Sequence, residues 1–533
     1  MIFKTRSKKG RNNFFMYYLN TNAQSLLFEK VIHGRVFVDK SLLIEKISDV
    51  IGTGDSFICI TRPRRFGKTI NANMLGAYYT KGYDSHPIFD NLAVSGTERY
   101  ENHINQYNVI HIDFSQLPDF CDGYDNYICN ITDTLKDDLQ EAYPHLRGRE
   151  YRSLSHMFQD TQDSFIFILD EWDSVFYESF MTVSHKNRFM KFLRGLLKDE
   201  PYVELAYMTG VLPIAKYSSG SELNMFHEFD FVNDNVYDAY FGFDEKEVRD
   251  LCLKINTVSY QEMKHWYDGY YTSTGDRLFN PRSVSNALTR GVCLNYWTET
   301  GPMNEIADCI EHNVDEVRED IVKLVSGIPI ETELTGYSAA EQQLKTRGDI
   351  LSAMVVYGFL SYYNGYLKIP NHELMEKYQK VLSRDSMGEI KEIVDSSKMM
   401  LEATLAMDER KVAELLETVH DREIPFLDYN DENSLSCVIT LCYLYARKDY
   451  HIVREEKSGK GYCDYLFYPR KNKGTAIILE LKVNNTAEYA IRQIKQKNYI
   501  QKAAEFDSVL LVGIAYDKVQ KVHGCLIEKI ERE

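Results

Sequence analysis

Four short apolar runs in the first half of the chain predict buried β-strands. They lie at residues 57–60, 109–112, 165–169 and 205–208, and helix-like stretches separate them. Three of the runs are nearly continuous in apolar character, which is typical of strands that are buried on both faces. Strands that alternate with helices predict an α/β fold whose mostly parallel sheet is covered on both faces.

The pattern changes twice further along the chain. The strand signal fades after about residue 285, and helix-like periodicity follows at residues 306–325, 349–360 and 399–419. An α/β pattern then returns, with helices predicted at 432–447 and 487–506 and strands at 464–468, 476–481 and 509–512. We therefore predict three domains, at residues 1–285, 286–427 and 428–533, of which the second is a helical connector.

The length and composition agree with several folded domains. The chain has 533 residues, of which 44% are hydrophobic and 26% charged, and single cores rarely grow beyond about 300 residues. The net charge of −17 argues against nucleic-acid binding over the whole surface. Residues 428–533 carry 17 Lys and Arg against 15 Asp and Glu. Any nucleic-acid site is therefore local, and this C-terminal part repels phosphate least.

The sequence also predicts a cytoplasmic location without a membrane span. The 10 cysteines are scattered, without the paired spacing of a zinc site or a secreted disulfide framework. The basic start leads into polar sequence, and no apolar run reaches about 18 residues.

A phosphate-binding loop is predicted directly after the first strand. The segment at residues 61–69 precedes a helical run at 70–79, which is where a Walker A loop belongs. Gly67 allows the tight turn, Lys68 reaches the β and γ phosphates of ATP, and the Thr69 hydroxyl serves Mg²⁺. The first glycine of the usual spacing is replaced by Arg62, so the opening turn must be built differently. The alternative is a chance Gly-Lys-Thr that caps an ordinary helix.

Two later strand ends carry residues that fit the same site. Asp170 and Glu171 follow the third apolar run in the Walker B arrangement, in which the first carboxylate orders Mg²⁺ and the second polarises the attacking water. Thr209 ends the fourth run, where its hydroxyl could lie beside Glu171 and sense the γ-phosphate. The alternatives are a solvated strand end for the acidic pair and a turn-forming Thr-Gly for Thr209.

The C-terminal part carries a second set of charged residues with catalytic spacing. Asp464 lies in one predicted strand, while Glu480 and Lys482 end the next strand and share a face. A hairpin would bring the two carboxylates together to bind Mg²⁺ or Mn²⁺, and Lys482 would orient or activate a water. The alternative is a pair of solvated strand faces. The following helix carries a polar, partly basic face of Arg492, Gln493, Lys495 and Lys497.

Together these motifs resemble a family of bacterial proteins that join an AAA-ATPase-like region to a nuclease domain of the PD-(D/E)xK superfamily. The matching segments span nearly the whole chain: Val38-Asp39-Lys40, Arg62-Pro63-Arg64-Arg65-Phe66-Gly67-Lys68-Thr69, Leu169-Asp170-Glu171, Thr209-Gly210-Val211, Tyr267-Asp268-Gly269-Tyr270, Asn280-Pro281, Ile369-Pro370-Asn371, and Asp464 with Glu480 and Lys482. The arginine-rich loop is the most specific segment, and the resemblance explains its missing first glycine.

The resemblance implies a fold and a role for each matching residue. It implies a P-loop ATPase sheet, a helical connector and a restriction-endonuclease-like C-terminal domain. At the first site Arg64, Arg65, Gly67, Lys68, Thr69, Asp170 and Thr209 would bind nucleotide and Mg²⁺, with Glu171 as the catalytic residue. At the second site Asp464, Glu480 and Lys482 form the nuclease triad, and Gln493 is similar to the glutamine that follows it. The additional glutamate of such nucleases would be Glu432, Glu455 or Glu456.

Two functional hypotheses remain open at this point. The first is an ATP-dependent or ATP-regulated nuclease that acts on nucleic acid, on DNA in preference to RNA, in defence or in the handling of mobile elements. The second is a nucleotide-switched binding protein in which one or both sites are inactive. A homo-oligomer is an alternative to a monomer. In such an oligomer an arginine of one subunit would complete the nucleotide site of its neighbour, and the candidates are Arg188 and Arg194.

Overall fold

A computed structural model of the chain describes residues 16–214, 222–297, 301–334, 344–420, 432–458, 461–470, 474–503 and 506–531. The chain divides into two compact units, one made mainly of residues 1–296 and the other mainly of residues 297–333 and 364–533. The predicted three-domain division is finer than this one, and it stays a prediction. Among the described residues, no helix combines the length and the apolar character that a membrane span requires.

The first unit begins with a five-stranded sheet and the helices that cover it. In chain order its elements are α1 (Ala23–Ile32), α2 (Leu42–Ser48), β1 (Phe57–Thr61), α3 (Lys68–Tyr79), α4 (His86–Phe89), α5 (Tyr100–His103), β2 (Asn108–Asp113), α6 (Tyr124–Ala142), α7 (Leu154–Asp160), β3 (Phe165–Asp170), α8 (Val183–Leu197), β4 (Val203–Gly210) and β5 (His227–Phe229).

The sheet has the strand order β2-β3-β4-β1-β5, and every pair in it is parallel. Strand β3 is buried along its whole length, as its uninterrupted apolar sequence requires. The four apolar runs correspond to β1, β2, β3 and β4, so the predicted strands and the parallel sheet are confirmed. This arrangement places the carboxyl ends of β1, β3 and β4 side by side at one edge, where ligands of open α/β sheets bind.

A smaller group of elements follows the parallel sheet within the same unit. These are β6 (Phe243–Asp244), α9 (Glu245–Ile255), α10 (Tyr260–Tyr267), β7 (Tyr270–Tyr271), β8 (Arg277–Phe279) and α11 (Pro281–Arg290). The three short strands pair antiparallel in the order β6-β8-β7, and the three helices share a core that includes Val248, Met263, Trp266 and Val284. Helix α11 spans residue 285, the predicted end of the first domain.

The second unit contains helices followed by a mixed sheet. Its elements are α12 (Gly301–Glu311), α13 (Val317–Val325), β9 (Ile330–Glu331), β11 (Tyr366–Lys368), α15 (His372–Leu382), α16 (Glu389–Leu405), α17 (Glu409–His420), α18 (Glu432–Cys442), β12 (Tyr450–Ser458), β13 (Gly461–Pro469), β14 (Thr475–Val483), α19 (Ala487–Gln496), β15 (Ser508–Asp517) and β16 (Val522–Glu531). Helix α14 (Arg347–Val356) runs from this unit into the first, where β10 (Ser361–Tyr363) lies.

The five long strands of the second unit pair in the order β12-β13-β14-β15-β16. Only β14 and β15 are parallel, because helix α19 connects them, whereas the remaining neighbours are antiparallel. Ile478 of β14, Leu511 of β15 and Ile491 and Ile494 of α19 belong to the same apolar core. The predicted α/β character of this part is therefore confirmed.

Several predicted helices are shorter in the structure than in the sequence pattern. The stretch at 399–419 is divided between α16 and α17, because Met407 adopts a positive φ of 58°. The stretch at 306–325 is divided between α12 and α13, where Asn313 has a φ of 49°. The predicted helix at 487–506 ends as α19 at Gln496. The connector also holds the short strands β9, β10 and β11, which its periodicity did not predict.

Candidate functional site

The predicted phosphate-binding loop connects β1 to α3. Gly67 stands directly before the helix with a left-handed φ of 91°, a conformation that is free of strain only for glycine. Arg65 also has a positive φ, of 75°. The turn places the first backbone N–H groups of α3 at the carboxyl edge of the sheet, where they can bind phosphate oxygens.

Arg62, which replaces the first glycine, forms part of the domain core. Its side chain is 1% exposed and forms an ion pair with Asp234, and its guanidinium lies over the ring of Phe241. The guanidinium also donates to the carbonyl oxygens of Thr61, at 2.8 Å, and Phe229, at 2.9 Å. These contacts tie the opening of the loop to the segment after β5, which is how the turn is built without a glycine.

Lys68 is buried at the start of α3, below the loop. Its Nζ donates to the carbonyl oxygens of Arg62, at 3.1 Å, and Pro63, at 3.3 Å. It lines a cavity of about 380 Å³ together with Arg65, Gly67, Thr69 and Glu171. The structure thus brings five of the predicted site residues to one cavity.

Asp170 lies at the end of β3 and is completely buried. The hydroxyl of Thr209 donates a hydrogen bond to this carboxylate, and the hydroxyl of Thr69 lies near enough to lower its pKa. Burial, with a smaller contribution from the charge of Glu171, raises the pKa of Asp170 to about 6 against the opposite effect of the two hydroxyls. Its second oxygen has no hydrogen-bond partner among the described residues. A buried, unpartnered carboxylate oxygen beside a threonine hydroxyl fits a divalent cation.

Thr209, Arg64 and Arg65 differ in how they lie relative to the cavity. Thr209 contacts Asp170 and is not among the residues that line the cavity. Arg64 also does not line the cavity, and its guanidinium lies 5.6 Å from the centre of the Tyr177 ring. Arg65 does line it, while its Nη1 donates to the carbonyl oxygen of Tyr296 at 2.8 Å.

The cavity is also lined by residues to which the sequence assigned no role at the nucleotide site. Most of them are apolar: Phe28, Val31, Val36, Phe37, Val38, Met74, Tyr240 and Phe243. Lys40, from the Val-Asp-Lys motif, also lines the cavity, with its Nζ 2.6 Å from Glu247 Oε1.

Arg282 and Ser285, from the first turns of α11, complete the lining. Arg282 is exposed, and its guanidinium has no hydrogen bond or ion pair to the described residues. The Asn280-Pro281 motif marked this helix start, because Asn280 caps α11 and proline suits its first position. The motif did not indicate that the residue after it, Arg282, lines a cavity.

The predicted second site lies on β13, β14 and α19. Tyr465 pairs with Leu479 across the two antiparallel strands, so Asp464 and Glu480 are the next pair along. The Leu481 N–H donates to Asp464 Oδ2 at 2.7 Å, and Lys482 Nζ donates to Glu480 Oε1 at 3.0 Å. Gln493 of α19 donates its Nε2 hydrogen to the same Glu480 oxygen. The structure thus brings together the four residues that the sequence predicted at this site.

Glu480 is the electrostatic centre of this cluster. Its side chain is 2% exposed. Burial and the neighbouring charge of Asp464 raise the pKa of Glu480 to about 7, although the Lys482 ammonium acts in the opposite direction. Two opposed carboxylates, one of them buried, form an oxygen donor set suited to Mg²⁺ or Mn²⁺.

Two further predictions concern residues around these sites. The side chains of Glu432, Glu455 and Glu456 lie outside the described residues. Within the described part of the chain, no group of three or more His, Cys, Asp or Glu side chains could hold a metal ion. Arg188 and Arg194 are half-exposed on α8 and form ion pairs with Asp125 and Glu222 respectively.

Comparisons with known proteins agree with the family resemblance of the two parts of the chain. Residues 27–219 match the family model described as a predicted AAA-ATPase, and residues 430–524 match the model of the PD-(D/E)XK nuclease superfamily. The chain therefore contains an AAA-ATPase-like domain and a C-terminal domain of the PD-(D/E)XK nuclease superfamily in an overall α/β architecture.

Two solved structures are similar to the chain at low sequence identity. A Walker-type ATPase of Pyrococcus abyssi has 12% identity and a TM-score of 0.32, over 64% of this chain and 94% of its own. The Aeropyrum pernix ORC2 protein, in complexes with ADPNP and ADP, has 11% identity and a TM-score of 0.31, over 70% of this chain and 96% of its own. No curated protein sequence matches the chain.

Proposed function

We propose that the chain is an ATP-hydrolysing protein that also cleaves nucleic acid at a second, metal-dependent site. The proposal of ATP hydrolysis rests on the cavity that the predicted site residues line together. Lys68, Thr69 and Glu171 reach it from two strand ends, and Asp170 lies beside Thr69 with a buried carboxylate oxygen free to bind a cation.

At the nucleotide site, each residue has a defined task. The N–H groups at the start of α3 and the Lys68 ammonium bind the β and γ phosphates. Thr69 and Asp170 would hold Mg²⁺, which neutralises the charge that develops on the phosphates. The Glu171 carboxylate accepts a hydrogen bond from the attacking water and orients it toward the γ-phosphate.

The apolar part of the cavity lining supports a nucleoside as the remainder of this ligand. Phe28, Phe37 and Met74 provide flat or adaptable surfaces for a base, as in most cofactor sites. Arg282 lines the same cavity and is exposed, so its guanidinium is available to the ligand. A triphosphate at Lys68 and a base among the aromatic residues would occupy one continuous volume, which is why ATP fits better than a free phosphate.

At the second site, Asp464 and Glu480 would hold Mg²⁺ or Mn²⁺, which polarises the scissile phosphate and lowers the pKa of a bound water. Lys482 lies 3.0 Å from Glu480 and is placed to orient that water. Gln493 fixes Glu480 by donating to its Oε1 atom. Nucleic acid is the proposed substrate, with DNA in preference to RNA, and binding is local because the chain as a whole has a net charge of −17.

The test measures both activities on the same full-length preparations. ATP hydrolysis and cleavage of plasmid DNA, single-stranded DNA and RNA are followed for wild type, Glu171→Gln and Lys482→Ala. We expect Glu171→Gln to lose ATP hydrolysis and to keep nucleic-acid cleavage. We expect Lys482→Ala to lose nucleic-acid cleavage and to keep ATP hydrolysis. Wild-type protein that binds ATP but shows neither reaction would favour the nucleotide-switched binding protein instead.

A further inference from the structure

A buried carboxylate joins the ends of β3 and β4 next to the nucleotide site. Asp173 is 1% exposed and accepts hydrogen bonds from the backbone N–H groups of Val211, at 3.1 Å, and Leu212, at 2.8 Å. The N–H of Trp172 adds a third link, because it donates to the carbonyl oxygen of Thr209 at 3.0 Å. Trp172 and Asp173 are therefore fixed to the end of β4 and to the segment that follows it.

Gly210 permits this close approach of the two segments. A Cβ atom at this position would lie 2.4 Å from Trp172 Cδ1 and 2.6 Å from Asp173 Oδ1, which are impossible distances for non-bonded atoms. The glycine of the Thr-Gly-Val motif is thus explained by packing. It leaves room for the Trp172 ring and the Asp173 carboxylate directly against the backbone.

Glu171 is the one member of the 170–173 segment that reaches the cavity. Asp170, Trp172 and Asp173 are all buried, whereas Glu171 lines the cavity and adopts a left-handed φ of 53°. Residues other than glycine hold this conformation only when their surroundings impose it. The hydrogen bonds of Trp172 and Asp173 impose it here, because they fix the backbone directly after Glu171.

We propose that Asp173 is a positioning residue for ATP hydrolysis, which holds the Glu171 carboxylate at the γ-phosphate end of the cavity. Its two backbone hydrogen bonds fix the chain after Glu171 to the end of β4, and this fixes where the Glu171 carboxylate lies. The same carboxylate lies close enough to Lys68 for their charges to attract. This inference rests on the proposed function of Glu171, and the test separates the two.

The test is a double-mutant cycle in the full-length protein. Asp173→Asn keeps the shape of the side chain but replaces one acceptor oxygen with a donor, so one of the two backbone N–H groups loses its partner. We expect kcat for ATP hydrolysis to fall about 10- to 100-fold, as misplacement of a reacting group does, while the Kd for ATP stays within about twofold. In single-turnover assays, adding Asp173→Asn to Glu171→Gln should reduce the rate no further.

A matched control separates positioning from general stability. Asp138 of α6 is another buried carboxylate that accepts backbone hydrogen bonds, from Tyr17, Tyr18 and Leu19, and it does not line the cavity. Asp138→Asn should lower the melting temperature and leave kcat for ATP hydrolysis unchanged.

Three results would overturn the inference. The first is wild-type hydrolysis by Asp173→Asn, and the second is an equal further loss of rate when this change is added to Glu171→Gln. The third is loss of ATP binding together with the fold in Asp173→Asn, which would make the residue purely structural. If Glu171→Gln itself hydrolyses ATP at the wild-type rate, the proposed function fails before this inference is reached.

Discussion

Lys68 shows how one side chain can be buried and yet available to a ligand. Its ammonium donates to two loop carbonyls at 3.1 and 3.3 Å, and Lys68 also lines the cavity. Lys68→Ala removes this cation, so ATP affinity should fall by about 10- to 100-fold, since a charge-assisted hydrogen bond contributes about 1.5–3 kcal/mol. Calorimetric titration with ATP measures this affinity. Unchanged affinity in a folded Lys68→Ala protein would contradict the phosphate-binding role.

Glu480 gives the second site a pH dependence. Its raised pKa of about 7 means that a proton occupies the carboxylate below neutral pH and competes with a metal ion. Affinity for Mn²⁺ without nucleotide should therefore rise as pH increases from 6 to 8. Titrations in an Asp170→Asn background, which weakens the first site, should show this rise, and the added change Glu480→Gln should remove it. Affinity that is independent of pH in the Asp170→Asn protein would contradict the assignment.

The sequence predicted contacts between side chains of regular elements better than the contacts of loop side chains. Asp464, Glu480, Lys482 and Gln493 converge as predicted, because strand alternation and the following helix leave few other arrangements. Arg64 was expected at the phosphates but lies against Tyr177 instead. A loop side chain can take many directions, and no periodic pattern in the sequence restricts them.

Strands β1 to β4 of the parallel sheet were predictable because each is almost entirely buried, whereas the short, partly exposed β5 was not predicted. The ends of the helices were harder to predict from the sequence. The apolar period continues across Met407, although Asp408 begins a new helix by accepting the Lys411 N–H at 3.0 Å. Asparagine and aspartate tolerate or cap such turns, so the break had a local signal that the longer apolar period obscured.

Helix α11 carries a prediction at the scale of an element. Its first turn presents Arg282 to the cavity, whereas Arg290 ends the helix with its guanidinium over the Tyr296 ring. Arg282→Ala should weaken ATP binding about tenfold through the loss of one charge-assisted contact. Arg290→Ala is the matched control and should bind ATP as wild type does. Equal affinities for all three proteins in calorimetry would exclude α11 from the nucleotide site.

The whole molecule combines two units that the sequence could locate only in part. Apolar runs and motifs identified the parallel sheet and the C-terminal mixed sheet. The strands β6, β7 and β8 have only two or three residues each, too few to produce a period-two pattern. This is why the helices α9, α10 and α11, which complete the first unit, were not recognised as a group around one core.

The central claim is that one chain contains both an ATP site and a metal-dependent nuclease site. The most direct measurement is Mn²⁺-dependent cleavage of plasmid and single-stranded DNA by the full-length protein, compared between wild type, Asp464→Asn and Asp517→Asn. Asp517 is the control because its carboxylate accepts backbone hydrogen bonds in the β15–β16 hairpin, from Val519 and Gln520. Wild type and Asp517→Asn should cleave DNA, while Asp464→Asn should lose at least about 100-fold in rate because it removes a metal ligand. Equal cleavage by all three proteins, with ATP hydrolysis intact, would contradict the nuclease site.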